Sequence, residues 1–459
     1  MSEPARPGPE LRVVAPRFTP AVRRFIANES GSAAVLLGAT LLAVVWVNSG
    51  WSHSYEALWA TPVHIGVGDR SLDMDLRHVV NDVAMSLFFL VLGVEIARET
   101  TSGELRNPGT FLVPALGALG GVLAPILIFL AINAGHPTAH GWGIVMSSDT
   151  AFVLGILALF GPRCPDQLRV FLLAAAVVDD VCAITVMALF YTASPDLAAL
   201  AVSVVLVGAV LAMRWLGVWR VTPYVLVGLA LWFAVYRSGV QPTLAGLLVG
   251  LLVPVRPARR EVLRRIPVYG RAVVENPTAE RARLATMAVS AAVPTGERLQ
   301  RAVHPWSAYV VVPVFGLANA GVRMDADTLR SALHSPLTIG VVVGLVVGNT
   351  IGVAGVSWLA LRTGAGALPG RVRYSHLLGG AVLAGIGFTI ALFVTDLAFS
   401  SPALRDQAKI GILAGSVVAA AAGSAVLRLM GERWPLCSPA GEEVPAALPP
   451  LPWVQPVAL

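Results

Sequence analysis

Residues 171–191 read FLLAAAVVDDVCAITVMALFY, an apolar stretch interrupted at its centre by two adjacent aspartates. About ten apolar residues flank the pair on each side, so a helix through them crosses the ~30 Å of bilayer hydrocarbon and leaves Asp179 and Asp180 near the midplane. Ionisable groups are costly there and mark function by default. Two neighbouring carboxylates with no fixed cation cannot both stay ionised where the dielectric is low. Such a pair relieves its repulsion by taking up protons or by binding a small hard cation through oxygen. Mutually exclusive binding of the two is the chemistry of proton-coupled cation exchange.

Outward from this span the pattern repeats. Apolar runs fall at 31–49, 79–97, 111–134, 142–160, 168–192, 196–215, 221–236, 241–254, 305–321, 336–361, 374–399 and 408–429, which predicts twelve spans. The 459 residues are 56% hydrophobic and only 13% charged, against about 25% charged in soluble domains. One large soluble core is thereby excluded. The expected fold is an all-α polytopic membrane protein with a transporter domain over 31–430, preceded by a cytoplasmic segment 1–30 and followed by a Pro-rich, disordered cytoplasmic tail 431–459. Nothing in residues 1–30 reads as a cleaved signal peptide, so the first span is expected to be the targeting signal.

The net charge of +6 does not point to nucleic acid, because the basic residues lie between the apolar runs. With the N-terminus cytoplasmic, 26 of the 33 basic residues fall on inside segments and seven outside. That is the positive-inside bias expected of a correct span count. It predicts both termini inside, in a bacterial cell membrane. The Arg-rich stretch 256–304 is expected as a solvated cytoplasmic linker over an anionic leaflet. Residues 61–76, TPVHIGVGDRSLDMDL, alternate around Gly68-Asp69 and predict an extracytoplasmic β-hairpin. Cys164, Cys182 and Cys437 are too few and scattered for a disulfide framework or metal site. His136 and His140 lack a companion carboxylate and are read as bystanders. No cofactor is expected. No ATP-binding motif is present, so ion gradients would drive transport.

Charges inside the spans are few: Asp82 and Glu95 in the second, Asp149 in the fourth, Asp179 and Asp180 in the fifth, and Asp396 near the end of the eleventh. The only lysine is Lys409, near the outer end of the last. Asp149 follows Ser147 and Ser148 in IVMSSDTAFVLGI, a polar stretch at mid-span that suits an unwound turn. Gly385 and Gly387 before Thr389 interrupt the eleventh span in the same way. Paired interruptions in two halves of a chain point to a midplane site. Asp149 would offset the positive N-terminal ends of two half-helices meeting there, although a lone mid-span Asp also caps kinks. Spans three to five and ten to twelve each carry the interruption in their middle helix, and an offset of seven spans reverses their orientation. This is the layout of an inverted repeat with two broken, crossing helices.

The motifs VNDVAMSLFFLVLGVEIARE (80–99), SSDTAFVLGILALFG (147–161), FLLAAAVVDDVCAITVMALFY, YRSGVQPTLAG (236–246), HPWSAYVVVPVFGLANAGV (304–322) and AGIGFTIALFV (384–394) together resemble the NhaA family of sodium–proton antiporters. The resemblance runs from about residue 20 to residue 430. It implies that Asp180 is the principal sodium- and proton-binding carboxylate and Asp179 its partner, with Ser148 and Asp149 beside the ion on the unwound fourth helix. Na⁺ (or Li⁺) would be held at Asp180, Asp179 and Ser148. Glu95, Arg98 and Glu99, with Asp82, resemble a pH-responsive funnel, and residues 61–76 resemble a homodimer contact. Many members carry a lysine where VVGNTIGVAG places Asn349, thought to pair with the first aspartate and to balance half-helix ends. Asn349, Asp149 and Thr389 would share that compensation here, and the uncharged amide puts the number of protons exchanged per ion in question. Gln241 stands where some members have a histidine.

Three other readings compete. An intramembrane aspartyl protease needs carboxylates facing each other from separate helices, whereas Asp179 and Asp180 diverge by about 100° on one helix. A non-transporting paralogue acting as a sensor or assembly partner stays open because of Asn349; the third alternative is a sodium-coupled symporter of the same fold for an organic solute, against which the matched Asp-Asp core argues.

Overall fold

The computed structural model describes residues 29–67, 70–102, 108–160, 166–191, 196–256, 260–366, 368 and 372–433. The segment 1–28, the hairpin tip 68–69 and the tail 434–459 lie outside the described residues. In chain order the elements are α1 (Glu29–Val47), α2 (Ser52–Trp59), the antiparallel strands β1 (Pro62–Val67) and β2 (Arg70–Asp75), α3 (Met85–Ser102), α4 (Pro108–Ile132), α5 (Thr150–Phe160), α6 (Asp166–Phe190), α7 (Leu197–Trp215), α8 (Val221–Arg237) and α9 (Thr243–Leu252). Then come α10 (Arg260–Glu275), α11 (Ala279–Ala292), α12 (Thr295–Trp306), α13 (Val312–Asn319), α14 (Ala326–His334), α15 (Pro336–Val343), α16 (Asn349–Arg362), α17 (Tyr374–Leu383), α18 (Thr389–Ala398) and α19 (Pro402–Arg433). Short π-helical turns lead into α3, α13 and α16, and a 3₁₀ segment, Pro137–Val145, precedes α5.

The chain is a polytopic helical membrane protein. Each of the twelve predicted apolar runs is occupied by helix. Among the described residues, six helical stretches are long and apolar enough to cross a membrane uninterrupted, and others are shorter or broken. One correction concerns the stretch expected as a linker, 256–304, which carries α10, α11 and α12. The reason is periodicity: Val262, Leu263, Ile266 and Val273 recur between the arginines at helical spacing, a pattern an Arg count alone conceals.

Without water between them, membrane helices associate through close backbone approach at small residues. Two crossings depend on this. In α9, Gly246 lies against the Ser86 backbone and Gly250 against Leu90 and Gly93, so α3 and α9 meet nearly backbone to backbone. In α4, Gly120 faces Gly352 of α16 with the same closeness.

The packing sorts the helices into two bundles. One holds α1, α3, α7, α8, α9, α12 and α13; the other holds α4, α5, α6 and α15 to α19. The second therefore gathers spans three to five and ten to twelve, the two triplets with interrupted middles. The bundles meet where α1 packs on α5 and α13 passes α18. Between them, the rings of Phe89, Phe315 and Phe393 close the interior on the side of the β-hairpin, with centroids 5.8 Å (Phe89–Phe393) and 6.2 Å (Phe315–Phe393) apart.

Candidate functional site

Two breaks in helix build the site. The 3₁₀ segment Pro137–Val145 and α5 are bent 47° apart, with residues 146–149 unwound between them. Helix α17 ends at Leu383 and α18 restarts at Thr389. The unwound stretches touch: the Asp149 amide donates to the Ile386 carbonyl at 2.6 Å, and the Phe152 and Phe388 rings meet edge to face at 5.3 Å.

Each restarting half-helix leaves its first amides without an intrahelical partner and carries the positive end of its dipole. Asp149 answers both. Its carboxylate accepts from the Thr389 amide at 3.0 Å, the Thr389 hydroxyl at 2.7 Å and the Phe152 amide at 3.3 Å. One side chain, 4% exposed, thus caps α5 and α18 together. The structure brings Asp149 and Thr389 into direct hydrogen bonding. Asn349 does not join it: its side-chain nitrogen finds no hydrogen-bond partner, and its oxygen lies against Gly121 of α4. The amide reaches two atoms less far than a lysine ammonium and, 3% exposed, is held at the α4–α16 crossing.

The two aspartates of α6 point different ways, as neighbours about 100° apart on a helix must. Asp179 turns to the unwound stretch, where one carboxylate oxygen accepts from both the amide and the hydroxyl of Ser148 at 2.7 Å each. Asp180, 6% exposed, faces a cavity of about 230 Å³ between the bundles, lined also by Glu95, Ser148, Asp149, His304 and Thr389. Among the described residues nothing donates a hydrogen bond to Asp180, and no lysine or arginine lines that cavity. The cavity reaches Ser32, in the first turn of α1, so it lies toward the end of the bundle opposite the hairpin. Structurally, then, the cavity brings carboxylates together with the hydroxyl oxygens of Ser148 and Thr389, and among its described lining residues there is no lysine or arginine. A dehydrating small cation or protons can balance the carboxylates.

Of the predicted funnel residues, Glu95, Arg98 and Glu99 lie within about one turn of α3. Glu95 lines the cavity, whereas Arg98 and Glu99 pair with each other at 3.4 Å near the end of α3. Asp82 belongs elsewhere: it accepts from the Gln241 amide at 3.2 Å. Thirteen residues of helix put it about 20 Å from Glu95, toward the hairpin. Sequence reading missed His304 and Ser307 as cavity residues. The signal present was His304-Pro305 at the start of an apolar run, where a polar residue at a span entrance is ordinarily unremarkable.

The family model described as Na⁺/H⁺ antiporter 1 matches residues 23–427. Na(+)/H(+) antiporter NhaA 3 of Frankia alni is 55% identical over 457 residues, covering 100% of this chain and 99% of its own length. Na(+)/H(+) antiporter NhaA of Oleidesulfovibrio alaskensis is 43% identical, with 93% of this chain and 96% of the relative covered. Na(+)/H(+) antiporter NhaA 1 of Mycolicibacterium gilvum is 43% identical over 88% of this chain, which spans only 65% of that longer relative.

Proposed function

The chain belongs to the Na⁺/H⁺ antiporter 1 family, and from that premise we propose that it exchanges Na⁺ (or Li⁺) for H⁺ across a bacterial cytoplasmic membrane, with both termini inside. The single observation that carries the reading is the position of Asp180: a buried mid-span carboxylate on an open cavity, beside Asp179 and with no cation to balance it.

In the proposed cycle the empty site carries protons on the aspartates. Na⁺ entering the cavity sheds water and takes Asp180, Asp179 and the Ser148 hydroxyl as oxygen ligands. The cation's charge stabilises both carboxylates as anions, so the protons leave. After the site is exposed to the other face, protons return and displace the ion. Asp149 takes no part in this exchange; it keeps the two half-helix ends together while the aspartates change charge. Glu95 sits on the approach and, as a carboxylate half-buried beside the cavity, favours cations there. Asn349 brings neither a charge nor a proton to the site. The protons moved per ion are therefore limited to what the carboxylates carry, and the stoichiometry is expected to differ from that of lysine-bearing members. The chain is further proposed to form a homodimer through the hairpin 61–76, in contact with membrane lipid.

The test is sodium-dependent proton movement in proteoliposomes, across pH, with and without an imposed potential, for the parent and Asp180→Asn. Activity abolished by Asp180→Asn supports the antiporter, and its response to potential reports the stoichiometry. The orphaned Asn349 amide favours one second reading, a non-transporting paralogue acting as a sensor; folded protein with no transport at any pH would select it.

A further inference from the structure

On the hairpin side of the aromatic layer, four polar side chains gather where the two bundles touch, Lys409 and Asn319 buried and Asn81 and Asp396 partly buried. Lys409 of α19, 6% exposed, lies 3.7 Å from one carboxylate oxygen of Asp396 at the end of α18. The other oxygen accepts from the side-chain amide of Asn81 at 3.4 Å. Asn81 stands in the π-helical turn leading into α3, and it exchanges hydrogen bonds with Asn319 at the end of α13, at 2.7 and 3.4 Å. Asp396 and Lys409 belong to the bundle that carries the broken helices, and Asn81 and Asn319 to the other. The cluster does not touch the cavity at Asp180.

A buried ion pair is poor evidence of stability, since apolar residues of equal volume often serve better. Here the ion pair lies within one bundle and holds Asp396 in place, and the hydrogen bond from Asn81 to Asp396 is the link that crosses and registers the two bodies. That link separates readily, because both of its members regain hydration when the interface opens. Asp396 is one helical turn beyond Phe393, and Asn319 one turn beyond Phe315, so the cluster closes the same seam as the aromatic rings. A path from Asp180 to the hairpin side that runs between the two bundles passes this contact.

We propose that Asp396, Lys409, Asn81 and Asn319 form a releasable clasp. It holds the two bundles together on the hairpin side while the cavity is open on the other, and it must open for the ion to be handed across. The four are positioning residues: none binds the transported ion at the midplane. This inference rests on the antiporter reading.

The experiment uses the full chain with its three cysteines replaced by serine, reconstituted in proteoliposomes, carrying Asn81→Cys and Asp396→Cys together. Oxidation is expected to join the two bundles and stop sodium-driven proton movement, with recovery on reduction. Radiolabelled sodium should still bind from the cavity side. Transport that continues at the parent rate in fully crosslinked protein would overturn the clasp, as would a pair that never crosslinks. If the uncrosslinked cysteine-free chain itself fails to transport while the unmodified chain succeeds, Cys182→Ser is reverted and the pair retested. If the unmodified chain is inactive, the antiporter reading falls and the clasp with it. A second arm needs no crosslink. Lys409→Gln loosens the seam, so maleimide labelling of Asn319→Cys from the hairpin side should rise about tenfold, within the usual range of conformational coupling. Unchanged labelling would count against the proposal independently.

Discussion

Neutralising Asp149 should separate what its charge contributes from what its shape contributes. Three donors converge on its carboxylate, from Thr389 twice and Phe152 once, at 2.7–3.3 Å. Hydrogen bonds to an ionised group stabilise by about 1.5–3 kcal/mol, against about 1 kcal/mol for neutral pairs. Asp149→Asn keeps an acceptor oxygen but loses about 1 kcal/mol at each of the two shorter bonds. It also loses the attraction of two half-helix N-termini, up to about 2 kcal/mol each when partly buried. Against this, the neutral amide avoids a desolvation penalty of several kcal/mol, so the net loss should be about 1–3 kcal/mol. Asp149→Ala avoids the same penalty but leaves the Thr389 and Phe152 amides without acceptors in a dry interior, at about 1–3 kcal/mol each. The expected order of thermal stability in detergent, followed by loss of helical circular dichroism and of monodisperse material, is parent, then Asn, then Ala. An alanine variant as stable as the asparagine variant would refute the capping argument, because the unpaired amides would then cost nothing. A parent no more stable than the asparagine variant would remove the role assigned to the charge.

Other outcomes follow from single contacts. Ser148→Ala removes the hydroxyl but keeps the backbone amide on Asp179; the sodium half-saturation should rise about 3- to 10-fold, one hydrogen bond's worth, and an unchanged value would remove Ser148 from the ion's ligands. Gly250→Ala places a methyl carbon 2.9 Å from the Val94 amide nitrogen and 3.0 Å from the Gly93 Cα, so α3 and α9 must part and yield of folded protein should fall sharply; normal yield and melting would contradict the close crossing. At the N-cap of α14, the Thr328 backbone amide donates to Asp325 and holds its carboxyl below the usual carboxylate range. A carboxyl so depressed stabilises the fold above its unfolded value of about 3.9, and that contribution is lost as pH falls through the folded value. The stability difference between parent and Asp325→Ala should therefore be constant near neutrality and vanish in acid; a difference that grows in acid would reverse the assignment.

The membrane class of the fold was legible in residue order alone. Hydrocarbon forbids unpaired backbone groups, so apolar runs of spanning length had to become helices, and all twelve did. The aspartate pair was equally legible, since a carboxylate at the middle of such a run has few inexpensive explanations. Ser148 and Thr389 could be placed near breaks because hydroxyls and glycines at mid-span signal freed backbone. What one dimension could not supply was facing. Asp179 and Asp180 are adjacent in the chain, yet one is engaged by Ser148 and the other opens on the cavity. Asn349, grouped with Asp149 by analogy, packs against Gly121 instead, because reach and rotation about α16 depend on which helix it crosses. Asp82 and Glu95 share one motif but lie about 20 Å apart. Asp396 and Lys409 read as stray charges near span ends until packing set them against each other and Asp396 against Asn81. Hydropathy is a sum over neighbours in sequence, and it determined that these residues are in the membrane; hydrogen bonds and close contacts form between residues hundreds of positions apart, so only the tertiary structure decided what they meet there.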